Sequence, residues 1–171
     1  MEAKALTMAK ALPDMTPDDF KMTRKILDLF AQVAVVEYRR NLKTLEKRAS
    51  GRLEDNIGFE VKAKGSTFRV ILNLEDYWRY VEHGRRPGAK WPPRKAIEEW
   101  IRVKPVIPRQ INGVKPTERS LAFLIARKIG RDGIKATNAL SGAVEVAKKD
   151  FNDYIGDAIL QDVEDWLSEN M

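Results

Sequence analysis

The chain contains no cysteine and one histidine in 171 residues. Without thiols there is no disulfide framework, no thiolate metal site and no cysteine nucleophile. The lone imidazole, His83, stands beside Gly84 at a helix end, where a cation suits the helix dipole. General-base or ligand chemistry would need an orienting partner and a second polar group. Long apolar runs are absent as well, and none approaches the ~20 residues of a membrane span. The start, residues 1–15, lacks the apolar core and cleavage pattern of a secretory signal. The expected location is the cytoplasm, or whatever is assembled there. No Gly-rich phosphate loop occurs. These gaps leave no cofactor, no metal and no catalytic residue to assign, so the chain is expected not to be an enzyme.

Acidic pairs are present, at Asp18-Asp19, Glu75-Asp76 and Glu98-Glu99. A two-metal nuclease needs carboxylates converging on one point. Neighbouring residues on a helix point apart instead, so solvated faces and helix-start charges explain these pairs better. Asp150, Asp153 and Asp157 do share one side of a helix, with no His or Cys beside them. Their natural partner is basic, in the same copy or the next.

A hydrophobic fraction of 43% with 33% charged residues fits a folded soluble protein rather than a disordered one. The net charge of +6 is unevenly spread. Residues 79–135 hold 15 Lys and Arg against 5 Asp and Glu, a local +10, whereas residues 136–171 hold 2 against 8, a local −6. Such a dipolar chain can meet copies of itself head to tail, or meet nucleic acid with its basic part.

The periodicities predict an α+β fold. Residues 1–16 form a flexible or marginally helical arm, and 17–171 a single domain. Thr16-Pro17-Asp18-Asp19 opens a long helix to about Ala49, with Leu27, Ala31, Ala34, Tyr38, Leu42 and Leu45 inward. Alternation over 57–64 and 68–74 predicts an antiparallel hairpin. A short helix ends at His83-Gly84, and Pro92-Pro93 opens another with Ile97, Trp100 and Ile101 inward. Residues 103–116, with three prolines and an Asn112-Gly113 turn, predict a small projecting extended hairpin. Thr117 caps a helix bearing Leu121, Leu124, Ile125 and Ile129, which Gly130 and Gly133 close. A final helix spans about 139–167 and packs on the sheet. Its stripe is Leu140, Val144, Ala147, Phe151, Ile155, Ile159, Val163 and Trp166, with Asp150, Asp153, Asp157 and Asp162 opposite.

Arg85, Arg86, Lys90, Arg94 and Lys95 surround Trp91, and Arg109 lies in the extended insert. These are the candidate residues for contact with a protein partner or a DNA backbone. Trp91 beside two prolines equally suits a rigid core anchor.

The order of motifs resembles the tail-completion, or neck, proteins of tailed bacteriophages, also called head–tail joining or minor tail components. The carriers are Ser50-Gly51-Arg52-Leu53-x-x-Asn56-Ile57, Tyr77-x-x-Tyr80-Val81-Glu82-x-Gly84, Trp91-Pro92-Pro93, Ser120-Leu121-Ala122-Phe123-Leu124-Ile125-Ala126 and Gly133-Ile134-Lys135-Ala136-Thr137-Asn138-Ala139-Leu140. The likeness covers about residues 17–171. Many members carry Pro and an aromatic where this chain has Asn138-Ala139, and the 103–116 insert is not universal. The resemblance implies a structural virion protein that forms a ring of roughly six or twelve copies. Such a ring sits in the head–tail connector between portal or adaptor and tail, around the DNA exit channel, without catalysis. Its partners would be itself, neighbouring virion proteins and, loosely, genomic DNA, with no membrane. An alternative from charge alone is a non-specific nucleic-acid-binding protein using residues 79–135.

Overall fold

In a computed structural model the protein is described at residues 6–7, 15–45, 52–64, 67–75, 77–103, 106, 108, 110, 113 and 115–171. It is α+β, as expected. The elements are β1 (Leu6–Thr7), α1 (Lys21–Thr44), α2 (Arg52–Asp55), β2 (Gly58–Lys64), β3 (Thr67–Asn73), α3 (Trp78–His83), α4 (Arg94–Val103), α5 (Glu118–Asp132) and α6 (Ala139–Asn170). They fall into two compact units. One comprises Met1–Asn41, Asn56–Leu74 and Leu140–Met171, the other Leu42–Asp55 and Glu75–Ala139.

In the first unit the expected antiparallel hairpin forms. Phe59 pairs with Leu72, Val61 with Val70 and Ala63 with Phe68, which puts the apolar residues on one face. Phe68 is buried, and Phe20 meets it edge-on with ring centroids 5.8 Å apart. The sheet has a third strand. Leu6 and Thr7, in a stretch expected to be an arm or marginal helix, pair antiparallel with Phe68 and Thr67 to give the order β1-β3-β2.

The long helices α1 and α6 run antiparallel. Asn41 lies next to Gly142, Phe30 stacks at 5.2 Å on Phe151, and the first turn of α1 meets Asp162. Along α1, Leu27, Ala31, Ala34, Tyr38 and Leu42 are buried as their spacing demands, joined by Val35. Leu45 departs from the expected stripe and is exposed. The helix also begins later than Thr16. Thr16 does not cap α1, because its N–H and hydroxyl both donate to Asp19 Oδ2, at 2.6 and 2.8 Å. The carboxylate and threonine close a separate turn before Phe20. The expected continuation to Ala49 falls partly outside the described residues.

On α6 the buried residues are Ala139, Leu140, Ala143, Ala147, Ala158 and Asp162. Phe151, Ile155, Ile159, Val163 and Trp166 are only half-buried. Small side chains thus define the closest approach of this helix. Asp162, expected on the solvated acidic side, is instead enclosed, because its carboxylate has a structural task. Asp162 Oδ1 accepts from Met22 N–H and Oδ2 from Thr23 N–H, both at 2.7 Å. The orphan donors at the start of α1 are therefore satisfied from a distant helix.

In the second unit α4 packs antiparallel on α5. Trp91, just before α4, reaches Gly130 near the end of α5, and Arg102 in the last turn of α4 bonds Glu118 in the first turn of α5 at 2.8 Å. Thr117 caps α5 as expected, accepting from Ser120 N–H. The face that α5 buries differs from the expected one. Ala122, Ala126 and Gly130 are buried, whereas Leu121, Ile125 and Ile129 are half-buried and Leu124 is exposed. A line of small residues lets α5 come close to its neighbours, and the larger chains flank that line. Half of the insert expected over 103–116 lies outside the described residues. Gly113, which is described, has a φ of +78°, the conformation a turn glycine supplies.

Candidate functional site

The motifs around Gly84 and Gly133, about fifty residues apart in sequence, are stitched together. Arg85 and Ile134 exchange both backbone hydrogen bonds, at 2.8 and 2.9 Å. Each follows a glycine with positive φ, +66° at Gly84 and +75° at Gly133. A Cβ at Gly84 would sit 2.2 Å from the Ile134 carbonyl oxygen, and one at Gly133 2.3 Å from that of Arg85. The two glycines are thus required twice over, by conformation and by space. Gly133 also caps α5, its N–H donating to the Ile129 carbonyl.

The seam continues on both sides. Gly88 N–H donates to the Gly130 carbonyl at 2.8 Å. The Thr137 hydroxyl donates to the Val81 carbonyl at 2.6 Å, and the Glu82 carbonyl accepts from Thr137 N–H and Asn138 N–H. Glu82 itself is fully buried. Asn138 has a φ of +51° just before α6, a conformation asparagine tolerates and proline cannot adopt. That accounts physically for asparagine at this position.

Gly130 does not close α5, as expected from its spacing to Gly133; it lies inside the helix, with no positive φ. Its role is to admit Trp91. A Cβ there would stand 2.3 Å from Trp91 Cδ1. The indole also meets Phe123 edge-on, with centroids 5.7 Å apart. Trp91 is nevertheless 48% exposed. It is therefore both an anchor of this unit and part of its surface.

The basic residues around it have different situations. Arg85 is committed to the seam. Its guanidinium donates to the Lys90 carbonyl and stands 5.5 Å from the Tyr80 ring centroid, while its Nε is buried without a hydrogen-bond partner among the described residues. Arg94 pairs with Glu98, four residues on. Arg86, Lys90 and Lys95 are exposed and have no ion pair among the described residues. Arg109 lies outside those residues. His83 is exposed in the last turn of α3, its ring 6.1 Å from that of Trp78.

The outer face of α5 is not among the candidate residues named from sequence. Arg119, Phe123 and Arg127 follow one another at intervals of four and are all exposed. That interval was visible in the sequence, but Phe123 lies in a run of apolar residues that suggested burial. Among the described residues no group of three or more His, Asp or Glu is placed to hold a metal ion, and no helix is long and apolar enough to cross a membrane.

No curated protein and no solved structure matches the chain. A family model does. Residues 7–84 match the HK97-gp10-like family, described as "Bacteriophage HK97-gp10, putative tail-component". The matched region runs from β1 to the glycine at the seam, just under half of the chain. Over that region the chain has the sequence pattern of a bacteriophage tail component, in agreement with the tail-completion resemblance of its motifs.

Proposed function

We propose that this chain is a ring-forming subunit of the head–tail connector of a tailed bacteriophage, joining portal or adaptor to tail around the DNA exit channel. The observation that carries the reading is the family match over residues 7–84, which ends where the Gly84 seam begins. The seam then ties a later tail-completion motif, at Ile134, Thr137 and Asn138, to the end of the matched region through backbone hydrogen bonds. Two of the motifs that carry the resemblance are thus joined in the fold. In this reading the chain works by presenting surfaces to sister copies and flanking virion proteins, without turnover. Arg86, Lys90, Trp91 and Lys95 are exposed contact residues in that assembly, whereas Arg85 chiefly holds their loop in place. Cryo-electron microscopy of assembled particles tests the proposal. The expected result is density for this chain in a ring at the neck; its absence from neck and tail would refute it.

A second reading, non-specific nucleic-acid binding, is favoured by the unpaired cations beside a half-exposed indole. A mobility-shift titration against salt separates it: affinity should fall steeply as salt rises, and no binding at low salt removes it.

A further inference from the structure

Two exposed rows on this molecule are complementary in charge and spacing. On α5, Arg119, Phe123 and Arg127 lie at intervals of four residues, and Phe123 is 45% exposed. On α6, Asp150, Asp153 and Asp157 alternate at intervals of three and four, ending at Leu160, which is 62% exposed. At 1.5 Å of rise per residue, the outer arginines are ~12 Å apart along α5 and the outer aspartates ~10 Å apart along α6. None of the five charged groups has an ion pair among the described residues. The carboxylates are strung along a helix and do not converge as metal ligands do. Each row therefore combines unpaired charge of one sign with a large exposed apolar side chain.

We infer that the α5 row of one copy docks on the α6 row of a second copy of this chain. The partner follows from the charges. The segment containing α5 carries a local +10 and the one containing α6 a local −6, so another copy offers the opposite field at each row. The two faces are different, so the contact is heterologous: every copy has one of each, and the contact propagates head to tail until it closes. This inference rests on the proposed reading of the chain as a self-assembling tail subunit and assigns the surfaces by which copies meet.

Sedimentation velocity on the full-length chain, over a range of concentration at low and high salt, tests it. Wild type should associate at low salt and dissociate as salt screens the rows. The double reversals Arg119→Glu with Arg127→Glu, and Asp153→Lys with Asp157→Lys, should each weaken association by at least about tenfold, while circular dichroism shows the wild-type fold. Mixing the two variants should restore association, because each retains the face that the other needs. The inference is overturned if wild type stays monomeric throughout, if either variant associates like wild type, or if the mixture stays monomeric. It is also overturned if the arginine reversal abolishes DNA binding and leaves the mass unchanged, since the α5 row is then a nucleic-acid face. A chain found in the neck of particles yet monomeric in solution would sink this inference and leave the proposed function standing.

Discussion

The carboxylate of Asp162 caps the start of α1: its Oδ2 lies 2.7 Å from the backbone nitrogen of Thr23, and its Oδ1 lies equally close to that of Met22. A helix start needs acceptors for its first N–H groups. Here they come from 139 positions away in sequence, so the same contact ties α6 to α1. Asp162→Ala should cost about 2–3 kcal/mol, through buried donors left without an acceptor. Asp162→Asn, which keeps one acceptor, should cost less. Urea unfolding of both variants checks the order, and an alanine variant as stable as wild type contradicts the capping role.

The side chain of Thr23 behaves oppositely to its backbone. Its hydroxyl oxygen is buried without a hydrogen-bond partner among the described residues. Thr23→Val replaces that oxygen with a methyl group of similar size, so stability should be unchanged or rise by up to about 1 kcal/mol. A loss above that magnitude in the same unfolding experiment would show that the hydroxyl has a partner.

Gly130 and Trp91 form a pair whose energetics should change sign with context. In an unobstructed helix Gly→Ala gains about 1 kcal/mol. At Gly130 the new methyl would meet the Trp91 indole at 2.3 Å, so Gly130→Ala should instead lose about 1–3 kcal/mol. In a Trp91→Ala background the same change should become neutral or stabilising. A double-mutant cycle by thermal unfolding measures this coupling, and additive effects would mean the indole does not occupy that space.

The positive-φ glycines should rank by crowding. Gly88 and Gly113 have open space where a Cβ would go, so alanine there should cost about 1–2 kcal/mol from the backbone alone. At Gly84 and Gly133 the Cβ also strikes a carbonyl, at 2.2 and 2.3 Å, and the loss should be larger. Four single alanine variants, compared by denaturant midpoint, test the ranking. Equal losses at all four would mean that the seam yields easily.

Acid should loosen the turn before α1. The hydrogen bonds from Thr16 hold the Asp19 carboxyl below its ordinary 3.8. A depressed folded value means this contribution is complete above the unfolded pKa and is lost as pH falls through the folded one. Asp19 should therefore titrate below 3.8 in a carbon-detected NMR titration, and Thr16→Val, which keeps the backbone N–H bond and removes the hydroxyl one, should move it part of the way back up. A Thr16→Val variant whose Asp19 titrates as in wild type would refute the assignment.

Much of the fold was legible because it follows from local periodicity. Alternation over residues 58–73 fits an antiparallel hairpin with one apolar face, and the stripe from Leu27 to Leu42 could only lie on one side of a helix. Thr117 as a cap and Gly133 as a stop were readable because those chemistries act within a few residues. The candidate site was less legible. Arg85 looked like its basic neighbours, and nothing local indicates that its backbone pairs with Ile134. The spacing of Gly130 to Gly133 suggested two stops, although one of the glycines makes room for an indole.

Side-chain spacing and simple composition alone carry the α+β class, the antiparallel hairpin, the inner stripe of α1 from Leu27 to Leu42 and the lopsided charge. Which acid is enclosed and which stays in water depends on tertiary contacts. Asp162 and Asp157 occupy one helix with the same chemistry. One faces the start of α1, where two backbone donors lacked acceptors, and the other faces solvent. A carboxylate's surroundings depend on what the chain brings to it from far away, and no local pattern carries that information.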